Sequence, residues 1–295
     1  MIVFSNGHAF AYMVASGALA FDGKGWPWEK PLVWLGLIKP ELFTVVIKTL
    51  TLKPRVGNLQ WWKPWSSVRL IPGGSVNKVG LTNPGIKWWC SKIGPTIDYR
   101  KYKIVGSIFG NDKELAEMAI LLNTFDLVAL EVNVSCPNTE HTITQSEIVI
   151  NSVKAVKDVC RHPIIVKLSV DQDYLGIAHG LAGIVEAISL NSVPWTTIFT
   201  NEERTPLWKL EQKVNGGGGG VSGKPAQKHN WAAVQALAEQ NCIPVIGPSI
   251  MEFEDMDRVR RLGAQALSFG AIHLRTPWKP TSFIERENSL NNLQK

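Results

Sequence analysis

The chain has 295 residues, 45% hydrophobic and 19% charged, a globular balance without the apolar depletion that marks disorder. Its net charge of +6 is spread over scattered Lys and Arg with no basic run, which excludes a nucleic-acid track and favours anionic small molecules as ligands. Four cysteines at 90, 136, 160 and 242 lack the short paired spacings of a zinc site or a disulfide framework, so no metal is expected and a reducing, cytoplasmic location fits. The opening segment from Met1 to Gly17 has no basic n-region, and no stretch approaches about eighteen uninterrupted apolar residues, so neither a signal peptide nor a membrane span is predicted.

Short β-rich runs recur along the chain at Thr44 to Ile47, Ile104 to Ile108, Leu127 to Val134, Ile164 to Leu168, Ala187 to Leu190, Ile243 to Ile246 and Ala266 to Phe269. Helical patterns lie between them. Asp112 to Asn123 sets Leu115, Met118, Ala119 and Leu122 on one face, and Ser146 to Cys160 repeats the spacing with Val149, Val153, Val156 and Cys160. Trp231 to Glu239 and Asp255 to Leu262 add two more helices, each followed by an apolar strand. Strand and helix in alternation predict parallel strands with crossover helices. At this length, one α/β domain over 1–295, a (β/α)8 TIM barrel, is the preferred architecture.

Two segments break the rhythm and read as long loops: Lys53 to Gly74, rich in Trp, Pro and Gly, and Thr200 to Gly223, charged at first and then carrying five consecutive glycines. Twelve tryptophans are many for this length, and those at 26, 28, 34, 61, 62, 65, 88 and 89 fall in the first third. They read as packing or interface residues, because a base-stacking platform would want a basic stripe beside it.

The residues with chemistry gather at strand ends, where α/β enzymes keep their sites. Cys136 follows an apolar strand and stands between Asn133 and Asn138 in Asn-Val-Ser-Cys-Pro-Asn. A lone Cys is usually a small buried hydrophobe, but a thiol flanked by two carboxamides suits a base facing a planar, amide-rich ligand. Lys48 and Lys167 also end apolar runs; either they snorkel to the surface or they pair with an anion, since a buried ammonium is costly alone. Asn77, Asn191 and Ser192 sit near other strand ends, where turn formation is the simpler role for each taken singly.

The Glu131 to Asn138 stretch resembles the substrate loop of dihydroorotate dehydrogenases, with Cys136 at the position that marks the soluble class 1. The segment from Ile47 to Asn58 is similar to that family's flavin and substrate lysine segment, and Val166-Lys167-Leu168-Ser169 to its flavin lysine. Val76-Asn77-Lys78-Val79-Gly80-Leu81, Leu190-Asn191-Ser192 and Gly219-Gly220-Val221-Ser222-Gly223 match further blocks in family order. Near the end the pattern departs: Gly247-Pro248-Ser249-Ile250 stands where the family has a longer, glycine-richer phosphate loop, and Ser249 would have to replace a backbone donor with its hydroxyl.

The resemblance implies FMN at the C-terminal mouth of the barrel. Cys136 would take the C5 proton of dihydroorotate while a hydride leaves C6, giving orotate in pyrimidine synthesis. Lys48, Asn77, Val79, Gly80, Leu81, Asn133, Asn138, Asn191 and Ser192 would hold the substrate. Ala15, Ser16, Gly17, Lys48, Thr49, Asn133, Lys167, Gly220, Ser222, Gly223, Gly247, Ser249, Gly270 and Ala271 would hold the cofactor. The electron acceptor stays open between fumarate, with the chain as a homodimer, and NAD reached through an iron-sulfur flavoprotein subunit. A barrel like that of dihydropyrimidine dehydrogenase shares the Ser-Cys-Pro block, although Asn138 favours orotate, and an inert flavin-binding barrel would fit the altered loop.

Overall fold

The computed structural model describes residues 1–60, 62–135, 142–199, 209, 212–214 and 217–293, with backbone alone at 64 and 142–145. Eight parallel strands form its centre: β1 Tyr12–Val14, β2 Thr44–Val46, β3 Lys103–Ile108, β4 Ala129–Asn133, β5 Ile164–Leu168, β6 Ala187–Leu190, β7 Ile246–Gly247 and β8 Ala266–Phe269. Their order in the sheet is β6-β5-β4-β3-β2-β1-β8-β7. The two ends meet through a parallel bridge between Ile188 and Val245, where Ile188 N donates to Pro244 O at 2.9 Å. The sheet therefore closes on itself, and the expected α/β TIM barrel is the observed fold.

The interior follows from the two-residue period of a strand. Met13, Val46, Val105, Ala129, Ile165, Ala187, Ile246 and Ala266, one from each strand, form a single buried cluster along the axis. Ile2, Phe4 and Phe10 join that cluster from a short N-terminal hairpin, Ile2–Val3 paired with Ala9–Phe10, and plug the bottom of the barrel. The alternate residues Val14, Val45, Ile104, Leu130, Ile164, Val166 and Ile188 face outward into a second, larger core beneath the helices. Cutting Ile165 back to Ala would cost about 2–5 kcal/mol, because the closed ring cannot collapse into the hole.

Around the strands lie α1 Lys30–Trp34, α2 Asp112–Leu122, α3 Thr142–Lys157, α4 Tyr174–Gly180, α5 Lys224–Gln240, α6 Phe253–Arg261, α7 Ala271–Arg275 and α8 Lys279–Leu293. The α2 stripe of Leu115, Met118, Ala119 and Leu122 is buried as its spacing predicts, as are Val149, Val153 and Val156 of α3. A capping box between Asn111 and Glu114 fixes the start of α2. α5 begins seven residues before the sequence pattern suggests, because Pro225 pre-sets the first turn and polar side chains hide the period, and it stops at Asn241 in a left-handed conformation.

The structure corrects the two long loops. Each contributes strands to an antiparallel sheet laid beside the barrel, in the order Val193–Pro194, Gly220–Gly223, Gly74–Asn77 and Val68–Ile71. The run Gly220–Gly223 shows no alternation in sequence because glycine has no side chain to alternate. β1 was passed over by pattern reading: it is only three residues long within the apolar run Ala9 to Ala15. Among the described residues, no helix is long and apolar enough to cross a membrane.

Candidate active site

Two residues beyond the apolar ring, the same strands place a polar ring nearer their C-terminal ends. Val105 is followed on the inner face by Ser107, Ala129 by Glu131, Ile165 by Lys167 and Ala187 by Ser189; Val46 leads to Lys48 just past β2. Glu131 is only 1% exposed. Its Oε1 accepts from Ser107 Oγ at 3.0 Å and lies 3.5 Å from Lys167 Nζ, while its Oε2 accepts from Ser189 Oγ at 3.0 Å. Ser107 Oγ also meets Thr49 Oγ1 at 2.9 Å, and Thr49 meets Ser16 Oγ at 2.9 Å, so one chain of polar contacts crosses six strands or strand ends.

The Lys48 backbone N–H donates to Ala20 O at 2.9 Å, but its ammonium enters this belt with no hydrogen bond or ion pair among the described residues. Burial, and then the neighbouring Lys167 charge, push its ammonium down to about 8. Both bland alternatives fail here: Lys167 is buried and paired, and Lys48 is recessed in the mouth, so neither snorkels.

Above the belt, a second layer carries carboxamides. Asn133 Oδ1 accepts from Ser135 N at 3.3 Å and from Ser135 Oγ at 2.6 Å, and Asn191 Nδ2 donates to Ser135 Oγ at 2.6 Å. Asn77 reaches the mouth on the antiparallel sheet, with Nδ2 donating to Gly220 O at 3.3 Å. Gly220 packs directly on Ser192, where a Cβ would overlap the hydroxyl. Asn77, Gly220 and Ser192 are thus brought together, and Asn133, Ser135 and Asn191 form a second group.

The 79–85 loop is stiffened by residues that sequence reasoning passed over. Gly80 and Leu81 both adopt positive φ, at 66° and 57°. Buried Asn83 donates to Leu81 O at 2.7 Å and accepts from Gly85 N at 2.9 Å, and Arg55 Nε donates to Gly80 O at 3.1 Å. Val79 belongs to the same braced turn, its carbonyl accepting from Asn58 N at 2.9 Å.

At the β1 and β8 ends, Ala15 N donates to Phe269 O at 2.9 Å, and Ala15 Cβ lies 3.3 Å from where a Cβ on Gly270 would stand, next to Ala271 at the start of α7. Ser16 Oγ donates to Ile47 O at 2.8 Å, and Gly17 O accepts from Trp26 Nε1 at 3.0 Å. After β7, the departing loop is occupied by its own protein. The space beside Gly247 is filled by Val259 of α6, and Ser249, at a φ of 66°, accepts from Asn230 Nδ2 at 3.1 Å. Ser222 and Gly223 pair with Ser75 and Gly74 in the antiparallel sheet, so their lack of bulk first serves strand packing. Cys136 and Asn138 lie outside the described residues.

Beside the mouth, a groove of about 600 Å3 is lined by Ala20, Phe21, Trp26, Trp28, Pro54 and Trp88. Trp26 and Trp28 stack at 5.3 Å with their planes 2° apart, and Trp28 is largely exposed. This fits the packing and interface reading of the tryptophans.

The donor set suits an anionic, ring-shaped group: an ammonium in a recess that is unpaired among the described residues, carboxamides with mixed donor and acceptor edges, and belt hydroxyls from four strands or strand ends. Glu131, Ser107, Ser189 and Asn83 are the functional-site residues that motif reading missed. For the first three a signal existed, because each stands two residues after a ring-forming apolar residue.

Sequence comparison gives independent findings. The sequence model of the dihydroorotate dehydrogenase family matches residues 32–281. The dihydroorotate dehydrogenase B (NAD(+)) catalytic subunit of Desulforudis audaxviator is 32% identical over 282 residues, covering 90% of this chain and 83% of the relative. The subunit of the same name from Caldicellulosiruptor saccharolyticus is 32% identical over 80% of this chain and 78% of its own, and that from Geobacter metallireducens 31% identical over 90% and 84%.

Proposed function

The chain belongs to the dihydroorotate dehydrogenase family, and on that premise we propose that it oxidises dihydroorotate to orotate in pyrimidine synthesis with FMN at the C-terminal mouth of its barrel. The observation that carries this reading is the unpaired Lys48 beside the Lys167 and Glu131 pair, beneath the Asn133, Ser135 and Asn191 carboxamide group. Family membership implies a flavin, and the mouth has donors for one. The flavin, when bound, supplies the acceptor for the hydride.

Every other role falls to the chain. Asn77, Asn133, Asn138, Asn191 and Ser192, with the braced backbone of Val79, Gly80 and Leu81, would pair with the ring amides and carboxylate of the substrate and set its reacting carbons against the cofactor. Cys136 would hold and remove the C5 proton. Lys48 would offer positive charge to the substrate and to the pyrimidine edge of the cofactor, and Lys167 would support that edge from below. Ala15, Ser16, Gly17, Thr49, Gly220, Ser222 and Gly223 would line the rest of the cofactor site, with Gly247, Ser249, Gly270 and Ala271 toward the phosphate.

The matched relatives are named as catalytic subunits acting with NAD+. That supports a second subunit as electron partner for this chain over fumarate reduction by a homodimer, and the exposed indoles beside the mouth are available surface for it.

An anaerobic absorbance spectrum with FMN, before and after dihydroorotate, tests the reading. Bleaching of the flavin band is the expected result. Bleaching by uracil-type dihydropyrimidines alone would transfer the site to the related enzyme class, and a flavin that binds but never bleaches would make the barrel an inert binder.

A further inference from the structure

Glu131 has no place in the substrate and cofactor roles just assigned, yet it is the most completely enclosed charge in the polar belt. Its two oxygens are fully engaged: Ser107 and Lys167 share Oε1, and Ser189 holds Oε2. The pairing is built into the sheet. Ser107 stands opposite Glu131 in the β3–β4 register, and Ser189 stands opposite Lys167 in the β5–β6 register. A carboxylate placed there costs desolvation that only such a complete set of partners offsets. Two lysines and one glutamate leave the polar belt, among the described residues, with one surplus positive charge.

We propose that Glu131 is a positioning residue that ties down Lys167 and sets the charge of the mouth, so that Lys48 is the cation left over for an anionic ligand. Glu131 reaches the ligand only through Lys167. Among the described residues the charged group that acts on Lys48 is Lys167, which is itself paired with Glu131; the hydroxyls of Ser16 and Thr49 belong to the same belt. Without the carboxylate, two ammonium groups would repel one another with nothing between them, and one would release its proton sooner. With both Glu131 and Lys167 neutral, Lys48 would lose its repelling neighbour and hold its proton longer. The functional meaning of this arrangement rests on the flavin and orotate reading above, but the charge coupling itself does not.

The test is an NMR titration of ε-13C-labelled lysines in the full-length purified protein without added flavin, with signals assigned by Lys48→Met and Lys167→Met. Because the two lysines are coupled, the readout is the lower of their two apparent midpoints. Glu131→Gln should lower it by about one pH unit or more. Glu131→Gln combined with Lys167→Met should raise the remaining Lys48 midpoint above its wild-type value. The double variant removes both charges of the buried pair, so it keeps the test open where the single variant fails to fold. A midpoint unmoved in Glu131→Gln, or a Lys48 midpoint in the double variant at or below wild type, overturns the proposal. A merely structural Glu131 would change melting temperature and leave both midpoints in place. The site reading has its own arm: with FMN added, Glu131→Gln should raise the reduction potential of the bound flavin. Shifted lysines beside an unmoved potential would uphold the charge coupling and overturn the flavin assignment.

Discussion

Gly220 and Ser192 occupy one another's space: a Cβ on Gly220 would overlap the Ser192 hydroxyl and lie 3.0 Å from its Cβ. The contact joins the C-terminal end of β6 to the antiparallel sheet, and the Gly220 carbonyl on the same segment accepts from Asn77. One glycine therefore fixes the spacing between two proposed substrate residues.

Gly220→Ala should accordingly separate the sheet from the mouth. The expected cost is about 1–3 kcal/mol in urea unfolding, with a rise in KM for dihydroorotate that exceeds any fall in kcat. Adding Ser192→Gly should recover most of the stability, because it removes the atoms in the way. A double-mutant cycle measures the coupling, and additive losses would show that the two residues do not press on each other.

His273, in α7, is buried, and neither ring nitrogen has a hydrogen-bond partner among the described residues. Burial pushes its pKa down to about 4, against 6.5 for the free side chain. The unfolded chain thus binds a proton that the folded chain refuses, so stability from this group is complete above pH 6.5 and is lost as pH falls toward 4. Urea titrations at stepped pH should show that slope in the wild type. In His273→Leu the slope over that window should flatten by about one proton, and an unchanged slope would assign the acid sensitivity to other groups.

The barrel was legible because its strands and helices carry opposite periods, and each stretch from β2 to β8 that the apolar runs mark is a strand or ends in one. The polar belt was partly legible. Lys48 and Lys167 stood out as charges at the ends of apolar runs, whereas Glu131 inside Leu-Glu-Val-Asn read as flanking sequence, because its burial depends on partners from three other strands. Asn83 was invisible for a similar reason: an Asn beside a Pro and a Gly reads as a turn residue, whereas its backbone forms an antiparallel bridge with Arg55 and its side chain ties together Thr51, Leu81 and Gly85. The antiparallel sheet was missed because the local hairpin of Val68–Ile71 and Gly74–Asn77 is completed only by long-range pairing with Gly220–Gly223, a strand with glycine at both ends.

Ser249 tests the departing loop. Its φ of 66° is a conformation glycine adopts without strain, and its hydroxyl is held by buried Asn230 of α5. Ser249→Gly trades the loss of that hydrogen bond against relief of the backbone, so stability should change by less than about 1 kcal/mol. If the hydroxyl stands in for a missing backbone donor to the cofactor phosphate, FMN affinity should fall about tenfold, read by quenching of flavin fluorescence. Unchanged affinity would leave the phosphate to backbone donors alone.

Cys136 follows Asn133 and Ser135 directly in sequence, both tied to Asn191 through the Ser135 hydroxyl, and the base assignment rests on that position together with family membership. Cys136→Ala should retain FMN but slow flavin reduction by dihydroorotate by about a hundredfold or more, the scale of a positioned base. Cys136→Ser should keep a residual rate that climbs with pH, since a hydroxyl parts with its proton less readily than a thiol. Stopped-flow reduction across pH 6 to 9 separates the two effects, because a thiol that only packed against the ligand would weaken binding in both variants while leaving the limiting rate and its pH profile unaltered. The Ser variant is therefore the sharper probe: a rate that is low and flat with pH would remove Cys136 from the role of base and return the question to the groups around Lys48.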